Sequence, residues 1–172
     1  HFLNKLGHHC TVISPTNWAD FLNWMPACDK VLDYESQANK ADVLIDEADW
    51  IFCLDFNILS RTKRMEEKLR LAKGDRILID HHREPQTAVF AFGESDVNKS
   101  STAEMVFDFI VESGNIDKID AIIGECLYAG VMTDTGSFRF PSTKASVHKM
   151  VYELKERGLE HSHVHEALFD NF

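Results

Sequence analysis

The chain has 172 residues, of which 44% are hydrophobic and 27% are charged, a balance typical of an ordinary soluble globular protein with one core. The formal net charge of -10 argues against binding to long nucleic acid duplexes, but it does not exclude a small anionic substrate held at a metal ion. No apolar run approaches the roughly 20 residues of a membrane span, so we expect no membrane partner. The four cysteines are scattered without a C-x-x-C pair, which indicates reduced thiols and a cytoplasmic protein.

Along the chain, short apolar segments alternate with segments of helical periodicity. The apolar segments predict strands at 9–14, 31–32, 50–55, 77–80 and 88–92. Periodicity and capping residues predict helices at 1–6, 18–25, 37–48, 62–73, 102–113, 119–131, 145–157 and 161–172. The first helix ends at Gly7, and we expect its beginning in a segment that precedes His1. This alternation predicts an α/β fold, with a mostly parallel sheet and helices on both faces.

The strand at 77–80 ends in a carboxylate that two imidazoles follow, as Asp80, His81 and His82. In an open α/β sheet, ligands bind just beyond the carboxyl ends of the strands, so these side chains would face the binding crevice. Carboxylate and imidazole are also ligands that suit divalent metals such as zinc and manganese. The alternative is a surface turn in which two histidines happen to be adjacent.

Two other acidic residues occupy comparable positions. Asp55 is the last residue of the preceding predicted strand, so Asp55 and Asp80 would converge if their strands are neighbours. Two converging carboxylates repel unless one is protonated or a cation lies between them, and the nearby histidines favour a cation. Asp134 follows an apolar helix, whose dipole disfavours an anion unless a metal offsets its charge. Asp-Thr-Gly is also good turn chemistry, which is the alternative for Asp134.

Four motifs of the sequence occur together in the order found in one superfamily. They are L-D at 54–55, D-H-H at 80–82, S-S-T-A-E at 100–104 and T-D-T-G-S-F-R-F at 133–140. In this order they resemble the motifs of the DHH phosphoesterase superfamily, and the resemblance covers nearly the whole chain. The last motif is similar to that of one branch, the bacterial nanoRNases that also dephosphorylate pAp and the related cyclic-dinucleotide phosphodiesterases.

The resemblance implies a catalytic site with two metal ions, usually Mn²⁺, with Mg²⁺ as an alternative. By this resemblance Asp55 bridges the two metals, while His81 and Asp134 complete the shell of the second. Asp80 supports that shell and His82 faces the phosphate, so Asp80 and His82 are the implied catalytic residues.

Ser101 and Arg139 are further phosphate contacts implied by the resemblance. Arg139 offers bidentate donors to a phosphate, although a solvent-exposed arginine at a strand edge is the alternative. The family's first motif, which supplies most ligands of the first metal, and its C-terminal substrate domain do not occur in this sequence. We therefore expect residues 1–172 to form a single DHH catalytic domain truncated at its N-terminus, inactive or weakly active alone. Residues 159–172 would begin a linker helix.

The function implied by the resemblance is hydrolysis of phosphoesters in short oligoribonucleotides, known as nanoRNA, or in pAp. The expected partner is a small nucleotide or a short single-stranded RNA, and a homodimer is left open as the assembly. Three alternatives also stay open: a cyclic-dinucleotide phosphodiesterase, an inorganic pyrophosphatase of the same superfamily, and a nucleotide-binding module without catalytic activity.

Overall fold

The computed structural model describes residues 1–169, so the end of the last predicted helix, at 170–172, lies outside the described residues. By its contacts the chain divides into two compact units. The sheet unit comprises residues 11–19 and 29–97, and the helical unit comprises residues 1–10, 20–28 and the chain from 98 onward. The prediction of a single domain stays a prediction. No helix in the described part of the chain is long and apolar enough to cross a membrane.

The described residues form five strands and seven α-helices. The strands are β1 (Ile13–Ser14), β2 (Leu32–Asp33), β3 (Trp50–Leu54), β4 (Asp75–Asp80) and β5 (Phe92–Ser95). The helices are α1 (Phe2–Lys5), α2 (Tyr34–Glu47), α3 (Glu66–Leu71), α4 (Thr102–Glu112), α5 (Ala121–Asp134), α6 (Ala145–Glu156) and α7 (His161–Phe169). Pairing is parallel throughout, with β1 beside β2 and with β3, β4 and β5 in that order. The α/β class with parallel sheets flanked by helices is confirmed, although the strands pair as two sheets rather than one.

One apolar cluster holds the helices of the sheet unit together. Ile51 of β3 packs against its buried members, which are Tyr34, Ala41, Ile45, Leu59, Met65 and Leu69. Helix α2 begins earlier than the predicted residue 37, because Asp33 caps it by accepting a hydrogen bond from the Glu35 amide at 3.0 Å. On the other side of β4, Gly93 of β5 permits a close strand approach, since a Cβ there would lie 2.1 Å from the Leu78 carbonyl oxygen.

The predicted helix at 62–73 is wrong in its first half. Leu59–Met65 form 3-10 turns in which Lys63 has φ +53°, and α3 begins only at Glu66. The buried Thr62 hydroxyl donates to the Leu59 carbonyl at 2.6 Å. This bond gives the backbone a local side-chain partner that competes with regular α-helix.

The predicted helix at 18–25 is also wrong, because Asp20–Leu22 make only a single 3-10 turn. The Asn17 side chain accepts a hydrogen bond from the adjacent Trp18 amide at 2.9 Å. An N-cap would accept instead from an amide two or three residues further on, so Asn17 does not begin a helix here.

Two predicted strands are placed differently in the structure. Only the end of the predicted strand at 9–14 is strand, as β1. Within the predicted strand at 88–92, Thr87–Val89 form a 3-10 turn, and β5 begins where the prediction ends. Arg76 of β4 donates from Nε to the Val89 carbonyl at 2.6 Å, which stabilises the turn in place of a strand.

The helical unit has a core of its own between α4, α5 and α6. Its fully buried side chains include Ile110, Val131, Met132, Val147 and Leu154. The three helices confirm the predicted helices at 102–113, 119–131 and 145–157, with boundaries that differ by a few residues. Asp120 caps α5 by accepting from the Ile123 amide at 3.0 Å, which explains why this helix begins at residue 121.

Candidate metal site

The two strand-end carboxylates lie beside each other at one edge of the three-stranded sheet. Strand β3 pairs with β4 in parallel, with Leu54 opposite Ile79. Asp55 directly follows Leu54, and its amide donates to the Ile79 carbonyl at 3.2 Å. Asp80 is the last residue of β4. The expectation that Asp55 and Asp80 occupy the carboxyl ends of neighbouring parallel strands is therefore confirmed.

Asp80 holds His82 in one orientation. Its fully buried carboxylate accepts hydrogen bonds from the His82 amide at 2.9 Å and from His82 Nδ1 at 2.7 Å. A ring whose Nδ1 donates to a carboxylate presents Nε2 as an acceptor or metal ligand. Such carboxylate–imidazole pairs are the usual support of metal-binding histidines.

Three predicted site residues converge beside this pair. Asp55 Oδ1 lies 3.6 Å from His81 Nε2 and 3.9 Å from His82 Nδ1. One ligand atom from each of Asp55, His81 and His82 lies within 4.8 Å of the other two. A carboxylate and two imidazoles at this spacing fit a divalent cation. The side chains stay accessible to a solute, since that of Asp55 is 54% exposed and that of His82 33%.

The two histidines do not diverge as residues of an extended segment would. Their ring centroids lie 4.8 Å apart, and both rings face Asp55. The chain has left the strand at Asp80, so the alternation of side chains along a strand no longer applies. The separate roles of His81 at the metal and His82 at the phosphate stay predictions.

Cys53 lies two residues before Asp55 and faces the interior of the sheet unit. Burial raises the pKa of its thiol to about 12, and the nearby Arg76 guanidinium offsets only part of this effect. The Cys53 thiol is buried with Sγ 3.7 Å from the Ile51 carbonyl oxygen, and it does not belong to the cluster that Asp55, His81 and His82 form.

The remaining predicted site residues belong to the helical unit. Asp134 is the exposed last residue of α5. Arg139 is also exposed and donates from Nε to the Gly136 carbonyl at 2.7 Å, so it lies in a turn rather than at a strand edge. Ser101 is fully buried and caps α4 by accepting from the Glu104 amide at 3.0 Å. The metal role of Asp134 and the phosphate roles of Ser101 and Arg139 stay predictions.

The loop after Asp134 has an unusual backbone. Three consecutive residues, Gly136, Ser137 and Phe138, have φ of +58°, +59° and +64°. The φ of +58° favours glycine at 136, and a Cβ there would lie 2.5 Å from the Phe140 ring, which would have to move. Left-handed serine and phenylalanine side by side are uncommon in proteins, so neighbouring bonds must hold this loop.

Two residues to which the sequence analysis assigned no role in the site, Asn57 and Glu104, make bonds that connect separate segments of the chain. Asn57 donates from Nδ2 to the Arg83 carbonyl at 2.6 Å, which joins the segment after β3 to the segment after β4. Glu104 is almost fully buried, and its carboxylate accepts from the Ser100 amide at 2.7 Å and from the Ser146 hydroxyl at 2.5 Å. The sequence feature that could have identified Asn57 is its position two residues after the strand-end Asp55. For Glu104 it is the capping pattern that begins at Ser101, three residues earlier.

The sequence of the chain matches a known protein family. Residues 5–131 match the N-terminal domain of the DHH family. Uncharacterized protein MG371 of Mycoplasma genitalium is 35% identical over 115 residues, which cover 66% of this chain and 34% of that protein. The bifunctional oligoribonuclease and PAP phosphatase NrnA of Bacillus subtilis is 29% identical over 96 residues, covering 54% of this chain and 29% of that protein.

This chain is also similar to a solved structure. The crystal structure of an exopolyphosphatase-related protein from Bacteroides fragilis superposes with a TM-score of 0.97 at 35% identity, covering 100% of this chain and 50% of that one. The chain thus spans about a third of the length of the curated relatives, with coverages of 34% and 29%, and half of the solved one, at 50%.

Proposed function

Because this chain belongs to the DHH family of phosphoesterases, whose members are hydrolases, we propose that it carries the metal-binding part of a Mn²⁺-dependent phosphodiesterase and phosphatase. The observation that carries the proposal is the convergence of Asp55, His81 and His82 beyond the carboxyl ends of β3 and β4. This is the edge of a parallel sheet at which ligands bind in α/β proteins. Mg²⁺ is the alternative ion, because carboxylate oxygen also suits it.

In this proposal each side chain has a defined task. Asp55 and His81 offer a carboxylate oxygen and an imidazole nitrogen to the metal, and Asp80 holds the His82 ring in place for the phosphate. Asp134 stays a predicted further ligand, by its motif. A divalent ion bound at such residues supplies a Lewis acid for the phosphoryl group and activates water. The buried Asp80 carboxylate keeps the His82 proton at Nδ1, so Nε2 is the nitrogen that meets the substrate.

The proposed substrates are oligoribonucleotides a few nucleotides long and pAp. The Bacillus subtilis relative, a bifunctional oligoribonuclease and PAP phosphatase, supports this choice, and the net charge of -10 disfavours long duplexes. The rival is hydrolysis of phosphoanhydrides such as pyrophosphate, which the exopolyphosphatase-related neighbour favours. We also propose a cytoplasmic location, because the four cysteines are free.

Substrate assays on the protein that contains this chain separate these functions. With Mn²⁺ present, we expect mononucleotides from di- to pentaribonucleotides and phosphate from pAp. Rapid hydrolysis of pyrophosphate with no action on the nucleotides would transfer the proposal to the phosphoanhydride rival. Failure to hydrolyse any of them would favour a nucleotide-binding module without catalytic activity.

The roles of the two histidines are tested by alanine substitution in that protein. We expect His81→Ala to lower metal affinity, so its activity should partly return at high Mn²⁺. We expect His82→Ala to keep its metal content and to stay roughly 10²–10³-fold slower at every Mn²⁺ concentration, because a lost phosphate contact is a lost transition-state contact. Both variants losing metal equally would instead make His82 a second imidazole ligand, through Nε2, the ring nitrogen that does not bond to Asp80.

A further inference from the structure

The candidate ligands lie on two separate loops, and something must fix the distance between them. Asp55 belongs to the loop after β3, whereas His81 and His82 belong to the loop after β4. Strand pairing runs as far as Leu54 opposite Ile79, and the Asp55 amide donates to the Ile79 carbonyl at 3.2 Å. Beyond this point the spacing of the ligand atoms depends on bonds between the loops themselves.

Asn57 makes two bonds from the first loop to the second. Its side-chain Nδ2 donates to the Arg83 carbonyl at 2.6 Å, directly after the two histidines. Its backbone carbonyl accepts from the Gln86 amide at 2.8 Å. Between these two anchor points Glu84 has φ +59°, a left-handed conformation that is uncommon for residues other than glycine. The D-H-H loop is thereby held at two positions by one residue.

The amide side chain suits this place better than its close isosteres. An aspartate would present only acceptors, and its oxygen would repel the Arg83 carbonyl that now receives the Nδ2 proton. The Oδ1 atom of Asn57 is buried without a hydrogen-bond partner among the described residues, so the donated bond is what this side chain contributes.

We infer that Asn57 is a positioning residue, which sets the distance from Asp55 to His81 and His82 by tying the D-H-H loop to the loop after β3. The inference rests on the proposed metal site and adds to it the residue that holds the site in shape. Asn57 acts on the metal through the loop, as supporting residues around metal ligands do.

The test compares Asn57→Asp with Asn39→Asp in the 172-residue chain. Asn39 is exposed on α2, so its substitution makes the same change of charge away from the loops. We expect calorimetry to show Mn²⁺ binding about tenfold weaker or worse for Asn57→Asp, and within about twofold for Asn39→Asp. A second variant, Gln86→Pro, removes the other bond at a residue whose φ of −77° proline can adopt. It should weaken binding in the same direction.

A second measurement follows the imidazoles without metal. In EDTA, the long-range ¹H–¹⁵N signals of His81 and His82, assigned by His→Gln variants, should shift or broaden in Asn57→Asp and stay in place in Asn39→Asp. A folding defect alone would lower the melting temperature in EDTA but would leave these signals and the affinity of the folded chain unchanged.

Each outcome decides the inference. Unchanged affinity and unchanged imidazole signals in both Asn57→Asp and Gln86→Pro would overturn it, as would an equal loss in Asn39→Asp. If the unsubstituted chain does not bind Mn²⁺, the proposed metal site fails. The imidazole signals in EDTA then still decide whether Asn57 positions the loop.

Discussion

The sheet unit and the helical unit secure their candidate ligands in different ways. In the sheet unit, Asp55 and Asp80 follow strands whose register is fixed by pairing between residues 50–54 and 75–79. In the helical unit, Asp134 ends α5, and the loop that follows depends on Thr135. Strand-end positions thus inherit their geometry from long-range pairing, whereas a helix-end loop depends on a few local bonds. The backbone positions at the strand ends should therefore resist single substitutions outside the strands better than the loop after α5 does, whereas the histidine side chains depend on the bonds of Asn57.

Thr135 shows how few bonds hold the second loop. Its fully buried hydroxyl donates to the Val131 carbonyl at 2.7 Å and accepts from the Phe138 amide at 3.1 Å. Its carbonyl accepts from the amides of Arg139 at 3.0 Å and Phe140 at 3.1 Å. One residue therefore connects the last turn of α5 to three residues of the loop.

The largest expected effect is the loss of Mn²⁺ affinity on substitution of Asp55, a candidate metal ligand of the sheet unit. Asp55→Asn keeps the shape of the side chain but removes the negative charge that a cation requires. We expect Mn²⁺ affinity, measured by calorimetry, to fall by at least about 100-fold, since even supporting residues around a metal contribute roughly 10–100-fold. Asp46→Asn is the matched control, because Asp46 is an exposed carboxylate of the same unit that only pairs with Lys68. Equal losses in both variants would show a general effect of charge.

The success of prediction in the sheet unit has a physical reason. Ile77, Leu78 and Ile79 are all buried, so an apolar run of this kind can only be a strand or helix in the core. A charged residue at its end then marks the edge of the sheet, which is why Asp80 and Asp55 could be placed from the sequence. Parallel pairing of β3 with β4 then brings both aspartates to the same edge of the sheet.

The failures of prediction have one common cause, namely polar side chains that bond to backbone. Thr62 and Asn17 each bond to a nearby backbone group and replace predicted helix by 3-10 turns. Asn57 was missed because its partner, the Arg83 carbonyl, is a backbone atom 26 residues away. Every residue has a backbone carbonyl, so the sequence does not show which one accepts a distant side-chain hydrogen bond. Such a bond is identified only from the three-dimensional structure of the loops.

The second prediction concerns a substitution that removes part of the hydrogen-bond network around Thr135 in the helical unit. Thr135→Val removes the hydroxyl and leaves the half-buried Phe138 amide without this acceptor. We expect the free energy of unfolding to fall by about 1–3 kcal/mol, measured by urea denaturation. Thr133→Val is the matched control in the same turn, because the Thr133 hydroxyl is exposed and only donates to carbonyls of α5. It should change stability by no more than about 0.5 kcal/mol.

The third prediction compares the buried Cys53 thiol of the sheet unit with the partly buried Cys126 thiol of the helical unit. Burial raises the pKa of Cys53 in the sheet unit to about 12 and that of Cys126 in the helical unit to about 11. At pH 8 the thiolate fractions are about 10⁻⁴ and 10⁻³, and the thiolate is the reactive form. Cys126 should therefore react with iodoacetamide about threefold faster than Cys53, because its larger thiolate fraction is partly offset by the lower nucleophilicity of a less basic thiolate. Both rates should rise about tenfold for each unit of pH.

Peptide mass spectrometry after short labelling times measures these rates. The exposed Cys10 serves as the internal reference for an accessible thiol and should react first. Faster labelling of Cys53 than of Cys126, or rates independent of pH, would show that access by local opening, rather than thiol ionisation, separates the two units.

The smallest expected effect concerns the backbone of the helical-unit loop. Ser137 has φ +59°, which costs an L-residue about 1–2 kcal/mol, and its amide donates to the Met132 carbonyl at 2.8 Å, a bond that glycine retains. Ser137→Gly relieves this strain, but it also raises the conformational entropy of the unfolded chain, which costs about 0.5–1 kcal/mol of stability. We therefore expect the free energy of unfolding, measured by urea denaturation, to rise by about 0.5 kcal/mol. Ser137→Ala separates the backbone from the hydroxyl, because alanine lacks the hydroxyl and keeps the Cβ that causes the strain. A gain in Ser137→Ala equal to that in Ser137→Gly would place the cost in the serine side chain. A gain in glycine alone would show that neighbouring bonds hold this loop against its backbone preference, as the strand-end residue Asp55 is also held at φ +65°.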